Sequence, residues 1–341
     1  MDRLHIHFMR YRQEEPVYQP TLDQIKDALA RNPDLAPRVT FTLESVERYM
    51  PVDWTDSDFK KYYDAMKNAD VLYGYTFQTQ NITDYAPQLK WFQSDSSGVE
   101  QLAPFDWVPE GLILTNSRGI HQPKSGESFA MYLGMLNSRI PSLFTSQRER
   151  TWNPIYTSVI RGKKIAVLGV GSQGGEMARQ AKMLGLKVTG IDPYLKSHPC
   201  CDEIVSADRM KDVFRDTDFL ALTAPLTKQT NKIIGDAQLE WLPLHASVIN
   251  VARAGLLDTE ALSKKLHEGR LAGAVLDVFD EHPLSEGSYL WNTPNLFISP
   301  HVSSDDPIHY SPRCLDILMT NVRNCFEGRP LINVVDTKKE F

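Results

Sequence analysis

Short apolar runs alternate with amphipathic stretches along most of this chain. Leu4–Met9 predicts a strand. Leu22–Ala30 has apolar side chains at Leu22, Ile25, Ala28 and Leu29, the spacing of one helix face. Val71–Gly74, Leu89–Gln93 and Leu112–Leu114 predict further strands. Ser125–Ile140 lacks proline and is apolar at Phe129, Met131, Tyr132, Met135 and Leu136, which predicts a helix able to link two domains. A second, clearer alternation follows. Ile165–Leu168 is continuously apolar, as in a strand buried on both faces. Met177–Leu184 predicts a helix. Lys187–Ile191, Asp218–Leu222, Ser247–Val251 and Leu271–Leu276 predict strands. Arg313–Phe326 predicts a closing helix, stopped by Gly328 and Pro330. Strands alternating with helices imply parallel sheets flanked by helices, and the pattern implies two α/β domains.

Composition narrows the function classes. At 341 residues the chain exceeds the usual size of one core, which agrees with two domains. Its 42% hydrophobic and 23% charged residues are ordinary for a soluble globular protein. The net charge of −6 and the lack of a Lys/Arg run argue against nucleic acid and anionic membrane as partners. No stretch suits a signal peptide or a membrane span. Cys200, Cys201, Cys314 and Cys325 fit neither a zinc site nor a disulfide framework, so no metal is expected and a reducing cytoplasm is.

Gly169-Val170-Gly171-Ser172-Gln173-Gly174 matches G-x-G-x-x-G. Alone the pattern is weak. Here it follows a predicted strand, opens a predicted helix, and precedes Asp192, 18 residues beyond the third glycine. Gly169 allows a tight turn, Gly171 lets a pyrophosphate approach the backbone, and Gly174 lets helix pack on strand. The helix N-terminus presents N–H groups to the phosphates. Asp192 is suited to the adenosine ribose hydroxyls. Its charge repels a 2′-phosphate and no Arg follows it, so NAD is expected rather than NADP.

Three more segments fall at predicted strand ends, where open α/β sheets bind ligands. They are Val248–Gly255, Ala274–Pro283 and Ile298–Ser304. Arg253 offers a planar fork for a carboxylate. His301 carries an imidazole, a group that can pass a proton either way. Asp277 is placed to orient the nicotinamide end of a cofactor or a polar neighbour. A cation, a proton donor and a dinucleotide are what reduction of a 2-keto acid requires.

In these segments the sequence resembles the D-isomer-specific 2-hydroxyacid dehydrogenases. Thr223-Ala224-Pro225-Leu226-Thr227 with Thr230 resembles that family's P-L-T-x-x-T segment beside the cofactor. Pro283-Leu284 through Leu290-Trp291 to Ser299-Pro300-His301 is most similar to its glyoxylate/hydroxypyruvate reductase branch. The resemblance implies two Rossmann-like domains with parallel sheets. The NAD-binding domain (121–305) would be inserted into a discontinuous substrate domain (1–120 and 306–341). It implies hydride transfer between NAD(H) and a 2-keto acid/D-2-hydroxy acid pair, a small one such as glyoxylate or hydroxypyruvate, in a homodimer. Carried onto this chain, it assigns Arg253 and His301 to catalysis. Gly169, Gly171, Gln173, Gly174, Asp192, Ala224, Pro225, Thr230, Val251, Arg253, Asp277, His301 and Ser303 are assigned to the cofactor. Ser97, Gly98, Tyr75 and Arg253 are assigned to the substrate, with Ser96–Val99 as a glycine turn whose N–H groups hold a carboxylate. Tyr75 and Thr76 follow a strand end, where they would shape the side-chain pocket, and His121 and Lys124 precede the linking helix, where they would face the cleft; an ordinary loop or core place suits all four equally.

The pattern breaks at one place. The family has a Glu five residues after the aspartate matched by Asp277, and it pairs with the catalytic His. Here that position is His282, with Glu281 one residue earlier. In an extended segment Glu281 points the opposite way; a shifted loop would bring it into the role. A neutral imidazole orients its neighbour but supplies no charge to retain a proton. His282 also leaves room for two other readings. One is an NAD(H)-binding regulator with little activity. The other is altered chemistry, because formate dehydrogenases of the superfamily also replace this Glu, with an amide. Reduction consumes the protonated imidazole, so its rate is expected to fall above about pH 6 to 7. Steady-state reduction from about pH 5.5 to 8.5 checks this, with His282→Glu expected to carry activity to higher pH. A profile flat to about pH 8, unchanged by the substitution, removes the idea.

Overall fold

The computed structural model describes residues 2–13 and 15–339. In chain order, β1 (Leu4–Tyr11), α1 (Leu22–Ala30), β2 (Val39–Val46), α2 (Asp56–Met66), β3 (Val71–Gly74), α3 (Ile82–Tyr85), β4 (Trp91–Ser94) and β5 (Ile113–Thr115) come first. They precede α4 (Gln122–Asn137), α5 (Ile140–Arg148), β6 (Lys164–Leu168), α6 (Ser172–Met183), β7 (Lys187–Ile191), β8 (Glu203–Val205), α7 (Met210–Phe214) and β9 (Phe219–Leu222). Then follow α8 (Asp236–Glu240), β10 (Ser247–Asn250), α9 (Thr259–His267), β11 (Gly273–Leu276), β12 (Leu296–Ile298) and α10 (Tyr310–Phe326). The chain divides into two compact units. Met1–Ile120 and Asp306–Phe341 form the first, and His121–Asp305 the second. Both are parallel-stranded α/β units, the fold class implied by the alternation.

The first unit has a sheet of order β2-β1-β3-β4-β5, parallel throughout. Alternate residues of β1 enter opposite cores. Leu4, Ile6 and Phe8 pack with α1 and with Tyr310, Leu315 and Leu318 of α10, whereas Met9 and Tyr11 pack with Tyr62 and Met66 of α2. That alternation also buries the odd-numbered His7, 1% exposed, on the second face. The edge strand β2 is less apolar because its threonines are cross-strand partners: His5 Nδ1 meets Thr40 Oγ1 at 2.9 Å and His7 Nδ1 meets Thr42 Oγ1 at 2.8 Å.

The second unit has the order β12-β11-β10-β9-β6-β7-β8, also parallel. Ala166 and Leu168 pack on one face of β6, Ile165 and Val167 on the other. Burial on both faces is the reason for the unbroken apolar run. The strand order reverses between β6 and β9, and such a switch opens a crevice at the strands' carboxyl ends. The expected helix is α4, and a second helix, α5, follows it where none was expected. Ser138 caps α4, and Arg139 takes a left-handed φ of 57° before α5 begins. The helix also starts earlier than Ser125, at Gln122, because Pro123 sits in its first turn, where no intrahelical N–H is needed.

His7 is held uncharged by its surroundings. Burial foremost, and then the charge of His5, pushes its pKa down to about 4. The unfolded chain therefore takes up a proton near pH 6.5 that the folded chain accepts only near pH 4. Stability is unaffected above about pH 6.5 and falls between about 6.5 and 4, by about 3 kcal/mol. Urea unfolding of the protein and of His7→Gln at about pH 7 and 4.5 checks this, with the variant expected to lose about 2 kcal/mol less on acidification. Equal losses in both would assign the acid sensitivity elsewhere.

Candidate active site

The glycine turn links the carboxyl end of β6 to α6. Gly169 has φ +86°, and a Cβ there would lie 2.5 Å from the Ala224 Cα, so glycine is needed for both turn and contact. A Cβ on Gly174 would fall 1.9 Å from the Gly169 carbonyl oxygen, which is how closely α6 packs on the turn. A Cβ on Gly171 would meet nothing within 4 Å, so the space over the α6 N-terminus is open. No side chain caps that terminus. Gln173 Oε1 is buried without a hydrogen-bond partner among the described residues. An open N-terminus beside an unsatisfied polar atom fits a phosphate-bearing ligand.

The neighbouring residues expected at the cofactor mostly brace this turn. Thr223 Oγ donates to the carbonyls of Leu168 (3.1 Å) and Gly169 (2.7 Å). Thr230 Oγ donates to the Pro225 carbonyl at 2.7 Å and accepts from Thr227 N–H at 2.8 Å, closing the loop after β9. Val251 lies half-buried at the end of β10. Asp192 accepts from the backbone N–H of Val170 at 2.9 Å, and of Tyr194 and Leu195 at 2.9 and 3.2 Å. The carboxylate thus joins the glycine turn to the loop after β7, a positioning task that the motif does not disclose.

Beyond β11 and β12 a buried carboxylate organises the loop that carries His301. Asp277 is 2% exposed. Its Oδ1 accepts from Ser299 Oγ at 2.5 Å and from the N–H groups of Val302 and Ser303 at 3.2 and 3.3 Å. Its Oδ2 accepts from Ser303 Oγ at 2.5 Å. Burial pushes the Asp277 carboxyl up, opposed by those hydrogen bonds and by the charge of His301. His301 itself has φ +56°, left-handed and strained for a residue with a Cβ, at a cost of about 1–3 kcal/mol. Its N–H donates to the Ser299 carbonyl at 2.9 Å.

The ring beside His301 is that of His282, with centroids 5.1 Å apart and planes tilted by 47°. No hydrogen bond joins the two rings among the described residues, and the Glu281 side chain is exposed. Burial, then the charges of His301 and Arg253, lowers the His282 pKa, with Asp277 and Asp280 opposing. His282 is therefore biased toward the neutral ring. Arg253 follows β10 in extended conformation, half-buried. Asn250 shapes its turn, donating from Nδ2 to the Arg253 carbonyl at 3.0 Å and accepting from Ala252 N–H at 3.2 Å.

In the first unit the expected substrate residues lie at the carboxyl ends of β3 and β4. Tyr75 follows β3, and its N–H donates to the Tyr11 hydroxyl while its carbonyl accepts from Gln101 Nε2, both at 3.0 Å. Its ring lies 5.0 Å from that of Tyr49. Ser97 Oγ donates to the Ser117 carbonyl at 3.2 Å, and Gly98 N–H donates to Ser96 Oγ at 3.3 Å. Lys124 pairs with Glu127 on the surface of α4.

Residues 130–303 match the family model described as D-isomer specific 2-hydroxyacid dehydrogenase, NAD binding domain. The chain belongs to that family. A glyoxylate reductase of Thermococcus litoralis is 28% identical over 236 residues, 66% of this chain and 70% of that protein. A glyoxylate reductase of Thermococcus gammatolerans is 30% identical over 235 residues, 65% and 69% of the two chains. Among solved structures, a D-isomer specific 2-hydroxyacid dehydrogenase of Xanthobacter autotrophicus Py2, in complex with NADPH and MES, superposes with a TM-score of 0.80 at 22% identity. It covers 99% of this chain and 100% of that one. This dehydrogenase accordingly uses a nicotinamide dinucleotide and moves a hydride within a keto/hydroxy acid pair.

Sequence reading left several positioning residues of the dehydrogenase without a role. Ser299 lies within Ile298–Ser304, Asn250 is the neighbour of Val251, and Ser128 and Tyr132 lie on the linking helix. Only Ser299 carried a signal, a hydroxyl two residues before His301. Ser303, expected at the cofactor, spends its hydroxyl on Asp277. Asp277→Asn replaces an acceptor by an NH₂ group facing hydroxyl and amide donors. It is expected to lower kcat about 10²-fold by releasing His301. NADH affinity, expected to depend on the glycine turn, should stay within about threefold. Steady-state rates with NADH fluorescence titration check this, and an unchanged kcat would dismiss Asp277 as the anchor of His301.

Proposed function

We propose that this dehydrogenase reduces a 2-keto acid to the D-2-hydroxy acid with NADH, and that the acid is small, such as glyoxylate or hydroxypyruvate. The observation that carries the reading is the pairing of His301 with a loop fixed by Asp277, beside the half-buried Arg253. The names of the relatives, glyoxylate reductase, support the substrate class. The α6 N-terminus with Gly169, Gly171, Gln173 and Gly174 would hold the pyrophosphate, and bound NADH supplies the hydride. Asp192 would select the unphosphorylated ribose, since its carboxylate repels a 2′-phosphate. Arg253 would clamp the substrate carboxylate, and the N–H groups at Ser97 and Gly98 and the ring of Tyr75 are further candidates for holding substrate. His301 would polarise the ketone and then donate its ring proton to the new alkoxide oxygen. His282 would orient that ring as a neutral partner. The domain assignment follows the two units, with 121–305 binding the dinucleotide and 1–120 with 306–341 holding substrate.

A homodimer is part of the proposal. The segment between α5 and β6 leaves Trp152 96% and Tyr156 92% exposed, side chains that a partner surface would cover. No helix among the described residues is long and apolar enough to cross a membrane, and a cytoplasmic site of action is proposed. The regulator reading rests on His282 alone.

One preparation tests these points together. NADH oxidation is expected with glyoxylate or hydroxypyruvate at least about tenfold faster than with bulkier keto acids, and slower with NADPH. Sedimentation of the same sample is expected to give a dimer. NADH binding without turnover of any keto acid would defeat the reductase reading. Equal use of NADPH would defeat the role given to Asp192.

A further inference from the structure

We propose that His121 is a positioning residue for the proton-transfer step, bracing the loop of His301 from the head of α4. The proposal rests on His301 being the proton donor. One face of α4 turns toward that loop. His121, Ser128 and Tyr132 are seven and four residues apart, a spacing that places them along one side of the helix. Ser128 Oγ donates to the Ser303 carbonyl at 2.7 Å. The Tyr132 hydroxyl hydrogen-bonds the serines at 299 and 303. His121 Nδ1 lies 3.2 Å from the Ser304 carbonyl and 3.6 Å from Asp305 Oδ1. The loop is therefore gripped from two sides. Asp277 takes Ser299, Val302 and Ser303, and α4 takes the carbonyls of Ser303 and Ser304. A left-handed His301 persists only where its surroundings over-determine it, and two independent grips supply that.

The chemistry of His121 suits the task. A carbonyl only accepts, so Nδ1 carries the hydrogen and donates it to Ser304. Burial foremost lowers its pKa. Asp305 and the Ser304 carbonyl oppose this, while the charges of Arg253 and His301 reinforce it. The ring thus lies within electrostatic reach of Arg253 and His301. As a neutral ring it fixes the loop without adding a positive charge beside them. Asn in its place offers an NH₂ donor near the Nδ1 position, whereas Phe keeps the ring and loses the donor.

The test compares the protein with His121→Asn and His121→Phe. For His121→Phe, kcat is expected to fall about tenfold or more, because a half-buried carbonyl loses its partner and the loop its brace. KM for NADH and for the keto acid are expected to move less than about threefold. His121→Asn is expected to recover most of kcat. Hydrogen exchange followed by mass spectrometry adds a readout independent of turnover. The peptide spanning 299–305 is expected to exchange faster in His121→Phe and at the wild-type rate in His121→Asn. Unchanged kcat and exchange in His121→Phe would overturn the proposal. So would equal impairment of both variants, which marks a packing role. If the wild-type protein turns over no keto acid, the reductase reading fails, and the exchange comparison still judges whether His121 holds the loop.

Discussion

A carboxylate removed from water must be satisfied by donors, and Asp277 draws them from Ser299, Val302 and Ser303 of one short loop. Much else in the second unit follows from that requirement. β11 ends where the carboxylate must sit, and β12 ends where Ser299 can reach it. The chain then has to turn sharply enough to return the N–H groups of Val302 and Ser303 to the same oxygens. His301 occupies the apex of that turn, which accounts for its left-handed backbone. The His301 side chain is thus displayed by strain that a buried charge sustains, and the loop has little freedom to relax without leaving that charge uncompensated.

Much of the architecture was legible because periodicity reports burial directly. Ile165–Leu168 read as a two-faced strand and is one, and Leu22–Ala30 matches α1. The omissions differ in kind. β2 escaped notice although Val39, Phe41 and Leu43 alternate with Thr40, Thr42 and Glu44 at strand period, itself a strand signal. α2 carries a capping box from Thr55 to Asp58, a local signal that could have revealed it. The break between α4 and α5 depends on one left-handed arginine, which no spacing rule foretells.

For the candidate site, sequence motifs name residues but not the hydrogen bonds that join them. Gly169, Gly171 and Gly174 had separable roles in the motif, and the structure separates them by what a Cβ would strike. Asp192 and Ser303 were read as ligand-facing because motif logic names partners outside the chain. Both also hold the chain to itself, and internal hydrogen bonds between distant segments leave no trace in local sequence. The substitution of His282 was visible at once, yet only coordinates show that it meets His301 as a tilted ring.

The discontinuous first unit sets an order of events during synthesis. Tyr310 donates to the Asp95 carbonyl, Asn321 reaches Gln93, and Leu315 and Leu318 fill the core around Ile6 and Phe8. A ribosome emits β1 some three hundred residues before the helix that covers it. The second unit is contiguous and has all its strands in hand when β12 emerges. Units of that kind fold as they are made. The early strands must therefore wait, with one apolar face covered only in part by α1, until α10 arrives to complete their core.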